Sequence, residues 1–181
     1  MTDPLPLSRG SVIKVVSDAG PIIHLDELGA IDLLADFQLV YVPDEVWIEV
    51  ERHRPQAIRR IAAQLSKCSP PNCERVDSIK AVYSLHRGEY AALCQCMVFK
   101  NALLLTDDTA ARLAAKALAM NAHGTIGLLL RALRRSHLSK DETLRLLREI
   151  PQRSSLHVRP SFLAEIIEQA AAFSPAPRFA R

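Results

Sequence analysis

Aromatic residues supply only 5% of this 181-residue chain, which argues against recognition of single-stranded nucleic acid through platforms of stacked rings. Glycine is also sparse, at six residues, and none falls in the phosphate-cradling spacing of a dinucleotide or Walker loop. Cys68, Cys73, Cys94 and Cys96 show no C-x-x-C spacing, so zinc knuckles and dithiol redox motifs are excluded and small reduced hydrophobes are expected. His24, His53, His86, His123, His137 and His157 form no H-x3-H pair, which removes the common zinc hydrolase motif. No apolar run approaches the ~20 residues that span a bilayer. Met1 to Gly10 lacks a basic-then-apolar secretory layout, so a cytoplasmic location is expected.

What is present is an ordinary globular composition, 49% hydrophobic and 24% charged, enough for one domain with a sizeable core. The net charge of +3 is unevenly spread. Residues 131–181 hold ten Lys/Arg against five Asp/Glu, and residues 1–130 hold thirteen against fifteen. An acidic segment followed by a basic one suits a metal site beside a polyanion-binding surface, although a solvated basic helix face has the same composition. Seventeen of the twenty-three cations are Arg, a bias that suits phosphate recognition.

Periodicity divides the chain into alternating strands and helices. Val12–Ser17 and Gln38–Val42 read as strands. Ile22–Leu28 and Ala30–Phe37 read as helices separated by Gly29, and Asp44 as the N-cap of a helix towards Arg54. Gln56–Leu65 is expected to be helical and Ser66–Asn72, with two prolines, a loop. A helix opening at Glu89, a buried Leu103–Thr106 strand, and helices over Thr109–Met120 and Ile126–Arg135 follow. Ser139 stands at capping-box distance from Glu142 before Thr143–Ile150, and Ser161 precedes Phe162–Ala172. This order predicts an α/β fold: a three-layer α/β/α sandwich with a mostly parallel central sheet, plus C-terminal helices. The expected organisation is an N-terminal extension over 1–10, a domain over 11–138, a packed helical extension over 139–173 and a disordered tail over 174–181.

In such sheets, sites gather at the C-terminal ends of strands. Asp18 ends the first strand, and Asp107 with Asp108 end LLLT. Each alone fits a turn residue or helix cap. Glu49 sits in the apolar VWIEV helix, and Glu89 follows Gly88 where a carboxylate favours the helix dipole. As a set, they offer the oxygen ligands that a hard divalent cation takes. Packed together without a cation they would repel one another. Thr106 and Thr125 are candidates to orient a carboxylate, water or phosphate, against a plain strand residue and a helix cap. Arg112 is a candidate to hold a carboxylate or phosphate. Arg52, Arg59, Arg60, Arg131, Arg134 and Arg135 are candidates for contacts to a phosphate backbone.

The segments VVSDAGPIIHLDELGAIDLL, VYVPDEVWIEV, LHRGEYAALCQCMVFKNALLLTDDTAARLAAKALAM and HGTIGLLLRALRR resemble the PIN-domain family. They look closest to the branch resembling toxin ribonucleases of bacterial toxin–antitoxin pairs, with similarity from about Val12 to about Arg159. The resemblance implies Asp18, Glu49 and Asp107 or Asp108 as Mg²⁺ or Mn²⁺ ligands. It places Glu89 where many such ribonucleases carry Asp, one methylene shorter. It further implies an RNA substrate, a small antitoxin partner and homodimerisation. The apolar Ile22–Phe37 region is the expected partner surface. Two other readings use the same residues: a catalytically inactive RNA-binding or interaction module, and a metal-dependent phosphatase.

Overall fold

The structure, a computed structural model, describes residues 13–99 and 101–174. The proposed N-terminal extension and nearly all of the proposed disordered tail lie outside them. Five strands form one sheet in the order β3-β2-β1-β4-β5: β1 (Lys14–Ser17), β2 (Val40–Pro43), β3 (Leu65–Cys68), β4 (Ala102–Leu105) and β5 (Asn121–His123). Every pairing is parallel. Register sets Ser17 opposite Leu105, so Asp18 and Thr106 leave the sheet side by side, joined by the Asp18 N–H to Leu105 carbonyl bond of 2.8 Å.

Successive strand residues face opposite layers. Val15, Val40, Val42, Leu103 and Leu105 belong to one core, with α1 (Ala19–Glu27), α2 (Asp44–His53), α3 (Pro55–Arg60), α7 (Thr125–Arg134), α8 (Lys140–Arg153) and α9 (Pro160–Ala172) packed around it. Val16 and Leu104 face a second core with α4 (Glu74–Lys80), α5 (Arg87–Val98) and α6 (Thr109–Ala117). That is the three-layer α/β/α sandwich. All four cysteines are free thiols, and Cys94 and Cys96 are apolar filling in the second core. Among the described residues no helix is long and apolar enough to cross a membrane.

Several local expectations need correction. The stretch read as helix then loop folds as α3, a 3-10 turn (Ala62–Gln64) and the edge strand β3. Its ladder with β2 overrides a short, half-polar sequence. The His123 connection is likewise an edge strand, β5. Asp44 is the first residue of α2 rather than its cap; its carboxylate instead accepts the Ser69 hydroxyl and pairs with Lys67 at 3.5 Å, tying α2 to β3. Ala30–Phe37 yields only a 3-10 helix, Ile31–Asp36. Ser161 does not cap α9, which starts on Pro160, a ring already set for a first helical turn. Ser139 and Glu142 do form the reciprocal capping box of α8.

The Ile22–Phe37 region is not an open partner surface. Ile22, Leu25, Ile31 and Leu34 are fully buried, covered in part by α7, α8 and α9, whose Leu129, Leu147, Ile150 and Ile166 share their core. Leu147→Ala should therefore cost roughly 2–5 kcal/mol, seen as a clear fall in melting temperature. Phe162→Ala, at a site 41% exposed, should change stability by about 0.5 kcal/mol or less.

Candidate active site

The C-terminal ends of β1 and β4 open into a cleft of about 810 Å³. Asp18, Glu49, Glu89, Asp107 and Asp108 all line it, joined by Glu45, His24, His86, Arg87 and His157. The acidic set is therefore gathered from β1, α2, α5 and β4, as the strand-end argument anticipates.

Asp18 is buried, 7% exposed. Its Oδ1 accepts the Ala19 N–H at 2.8 Å, capping α1, and its Oδ2 accepts the Thr106 hydroxyl at 3.0 Å. Burial nevertheless dominates and, against those two hydrogen bonds, pushes the carboxyl up to about 7, with the charges of Glu89 and Glu49 adding to the rise. Thr106 thus orients a carboxylate, and its oxygen also accepts the Asp108 N–H at 3.2 Å.

The two adjacent aspartates have separate duties. Asp107 is clamped: Oδ1 accepts the Thr125 N–H at 2.7 Å, and Oδ2 accepts the Thr125 hydroxyl at 2.6 Å and bonds His24 Nδ1 at 2.8 Å. It closes the N-terminus of α7, where a negative charge is favoured. Thr125 is the first residue of that helix rather than its cap, and it is fully buried. Asp108 caps α6 by accepting the Ala111 N–H at 2.8 Å. His24 was not a sequence candidate; its partner lies 83 residues away, and no local signal marks it.

Glu89 is half engaged, since its carboxylate accepts the His86 N–H at 2.8 Å in the capping box of α5. Glu49 is exposed and makes no hydrogen bond or ion pair among the described residues. Gly88 relates it to Asp18: a methyl group there would stand 3.5 Å from Glu49 Oε2 and 3.6 Å from Asp18 Oδ1. Among the described residues no three His, Cys, Asp or Glu side chains already converge on one point at ion-holding distance. The donor set still fits a hard cation. It is all oxygen, Glu49 and Glu89 raise the proton affinity of Asp18, and Glu49 has an uncommitted carboxylate.

The basic candidates are not brought to this cleft. Arg60 pairs with Asp26 and Asp32, and Arg131 and Arg135 both pair with Asp36. Arg52, Arg59 and Arg134 are exposed and do not line the cleft. Arg112 lies against Gly124, its guanidinium 3.2 Å from where a methyl group there would sit, outside the cleft lining.

Two stability effects follow from this geometry. A methyl group at Gly124 would overlap Asp107 Oδ1 and crowd the Thr106 carbonyl at 3.2 Å, so Gly124→Ala should cost roughly 1–3 kcal/mol on a denaturant curve. Asp18 binds its proton more tightly folded than unfolded, so without added metal its contribution is full below about pH 4 and is lost as pH rises towards 7. Asp18→Asn should remove this loss and gain on the order of 2–4 kcal/mol over wild type at pH 8 relative to pH 4, measured by urea unfolding at both pH values.

No significant match is found among curated proteins or among solved structures. The sequence profile of the PIN domain does match, over residues 14–172. That span runs from β1 to the end of α9 and takes in the sheet and the acidic cleft together. The chain belongs to the PIN-domain family.

Proposed function

We propose that this protein is a Mg²⁺- or Mn²⁺-dependent endoribonuclease, the toxin of a toxin–antitoxin pair. PIN domains are generally nucleases, which supports a phosphodiester hydrolase. The observation that supports the metal dependence is that Glu49 Oε2 and Asp18 Oδ1 both come within 3.6 Å of one point at Gly88, in one cleft with Glu89. Asp18, Glu49 and Glu89 would hold the ion. When bound, it supplies water activation and neutralises phosphate charge. Thr106 keeps Asp18 in one orientation. Asp107, fixed by Thr125 and His24, adds a rigid negative wall, and Asp108 holds the start of α6 beside it. The toxin role, the small antitoxin partner and homodimerisation rest on the resemblance of the sequence segments alone.

Purified protein should cut structured RNA with Mn²⁺ or Mg²⁺ and stop when EDTA is added. Asp18→Asn and Glu49→Gln should each lower the rate by roughly a hundredfold or more. Hydrolysis of small phosphomonoesters with RNA left intact would replace the nuclease by a phosphatase. RNA binding without metal-dependent cleavage would make the protein an inactive binding module.

A further inference from the structure

The cleft presents a phosphate backbone with an electrostatic problem. Six carboxylates line it against a single guanidinium, that of Arg87. A divalent ion on Asp18, Glu49 and Glu89 would offset part of that charge locally but would not guide the flanking phosphates. Of the three histidines in the lining, His24 is committed to Asp107 and His86 stands 3.3 Å from Glu89. Arg87 and His157 are exposed and have no side-chain hydrogen bond or ion pair among the described residues. Among the arginine and histidine side chains of the lining, they are the two without a partner.

His157 comes from the connection between α8 and α9, far along the chain from the acids. That connection is pinned. Glu27, at the end of α1, accepts the Ser155 N–H at 2.7 Å and the Ser154 and Ser155 hydroxyls at 3.0 Å each. Beyond the pin, Leu156 and Val158 pack against the main core while Ser155, His157 and Arg159 are exposed. The alternation of an extended segment therefore turns His157 outward at the cleft on a backbone fixed at both ends, by Glu27 before it and by α9 after it.

We infer that the 154–159 connection is a wall of the substrate site, and that His157 on it and Arg87 on α5 bind phosphates of an RNA strand flanking the scissile bond. Resting on the ribonuclease reading, it gives the C-terminal helices a second duty besides completing the core. Because the wall is already ordered, little conformational freedom is lost when substrate docks.

The test is binding of a fluorescein-labelled RNA to the Asp18→Asn protein with Mg²⁺, followed by anisotropy between 50 and 200 mM salt. Adding Arg87→Ala should weaken binding and reduce the salt slope by about one. Adding His157→Ala should weaken it roughly three- to tenfold. Glu27→Gln, outside the cleft lining, should weaken binding in the same direction, and less than additively with His157→Ala. If the Asp18→Asn parent binds RNA and neither Arg87→Ala nor His157→Ala changes its affinity, the wall is refuted and the ribonuclease reading stands. If neither this parent nor wild type with Ca²⁺ in place of Mg²⁺ binds RNA, both fall.

Discussion

A carboxyl group taken out of water at the end of the central strand is the constraint on which the site depends. Asp18 stands where β1 stops and α1 begins, and β1 lies between β2 and β4 at the middle of the sheet. The fold satisfies part of what this group needs, through the Ala19 N–H and the Thr106 hydroxyl. It then worsens the remainder by bringing Glu49 and Glu89 near enough to raise the proton affinity further. Such an arrangement is costly as a stability device and useful as a place waiting for positive charge.

The other acids show how similar side chains come to do different work. Asp107 and Asp108 are adjacent in sequence, yet one is clamped by three donors from α1 and α7 and the other caps the helix that follows it. Neither has the freedom of Glu49. A rigid inner wall beside one uncommitted and one half-engaged carboxylate is a division suited to a site that takes up a ligand. The basic side chains obey a similar logic. Arg60, Arg131 and Arg135 are spent on Asp26, Asp32 and Asp36, and the guanidinium that lines the cleft is that of Arg87.

The central architecture was legible because its strands are apolar and end abruptly in acid: VVS before Asp18, LLLT before Asp107. The parallel alternation with helices and the placing of Asp18, Asp107 and Asp108 at the C-terminal ends of neighbouring strands both follow from those endings, while Glu49 and Glu89 reach the same cleft from α2 and α5. The edge strands were not legible. LSKC and NAH each pair on one side only, so they are short and half-polar, and their strand character comes from a neighbour rather than from their own periodicity. The Ile22–Phe37 surface was misread for a related reason. Its apolar residues reach the right conclusion about burial only once the α8 and α9 partners, more than a hundred residues later, are in place. His24 and the Glu27 pin lie 83 and 128 residues from the groups they bond, beyond any local pattern.

The most direct test of this account is the protonation state of Asp18 itself, followed by carboxyl carbon NMR on selectively labelled protein with and without Mg²⁺. Without the ion, one aspartate should titrate near pH 7 and vanish from the spectrum in Asp18→Asn. With saturating Mg²⁺, its titration should fall to the ordinary carboxylate range or below. An Asp18 that titrates near 4 and ignores the ion would contradict the claim that this buried carboxyl is the heart of a cation site.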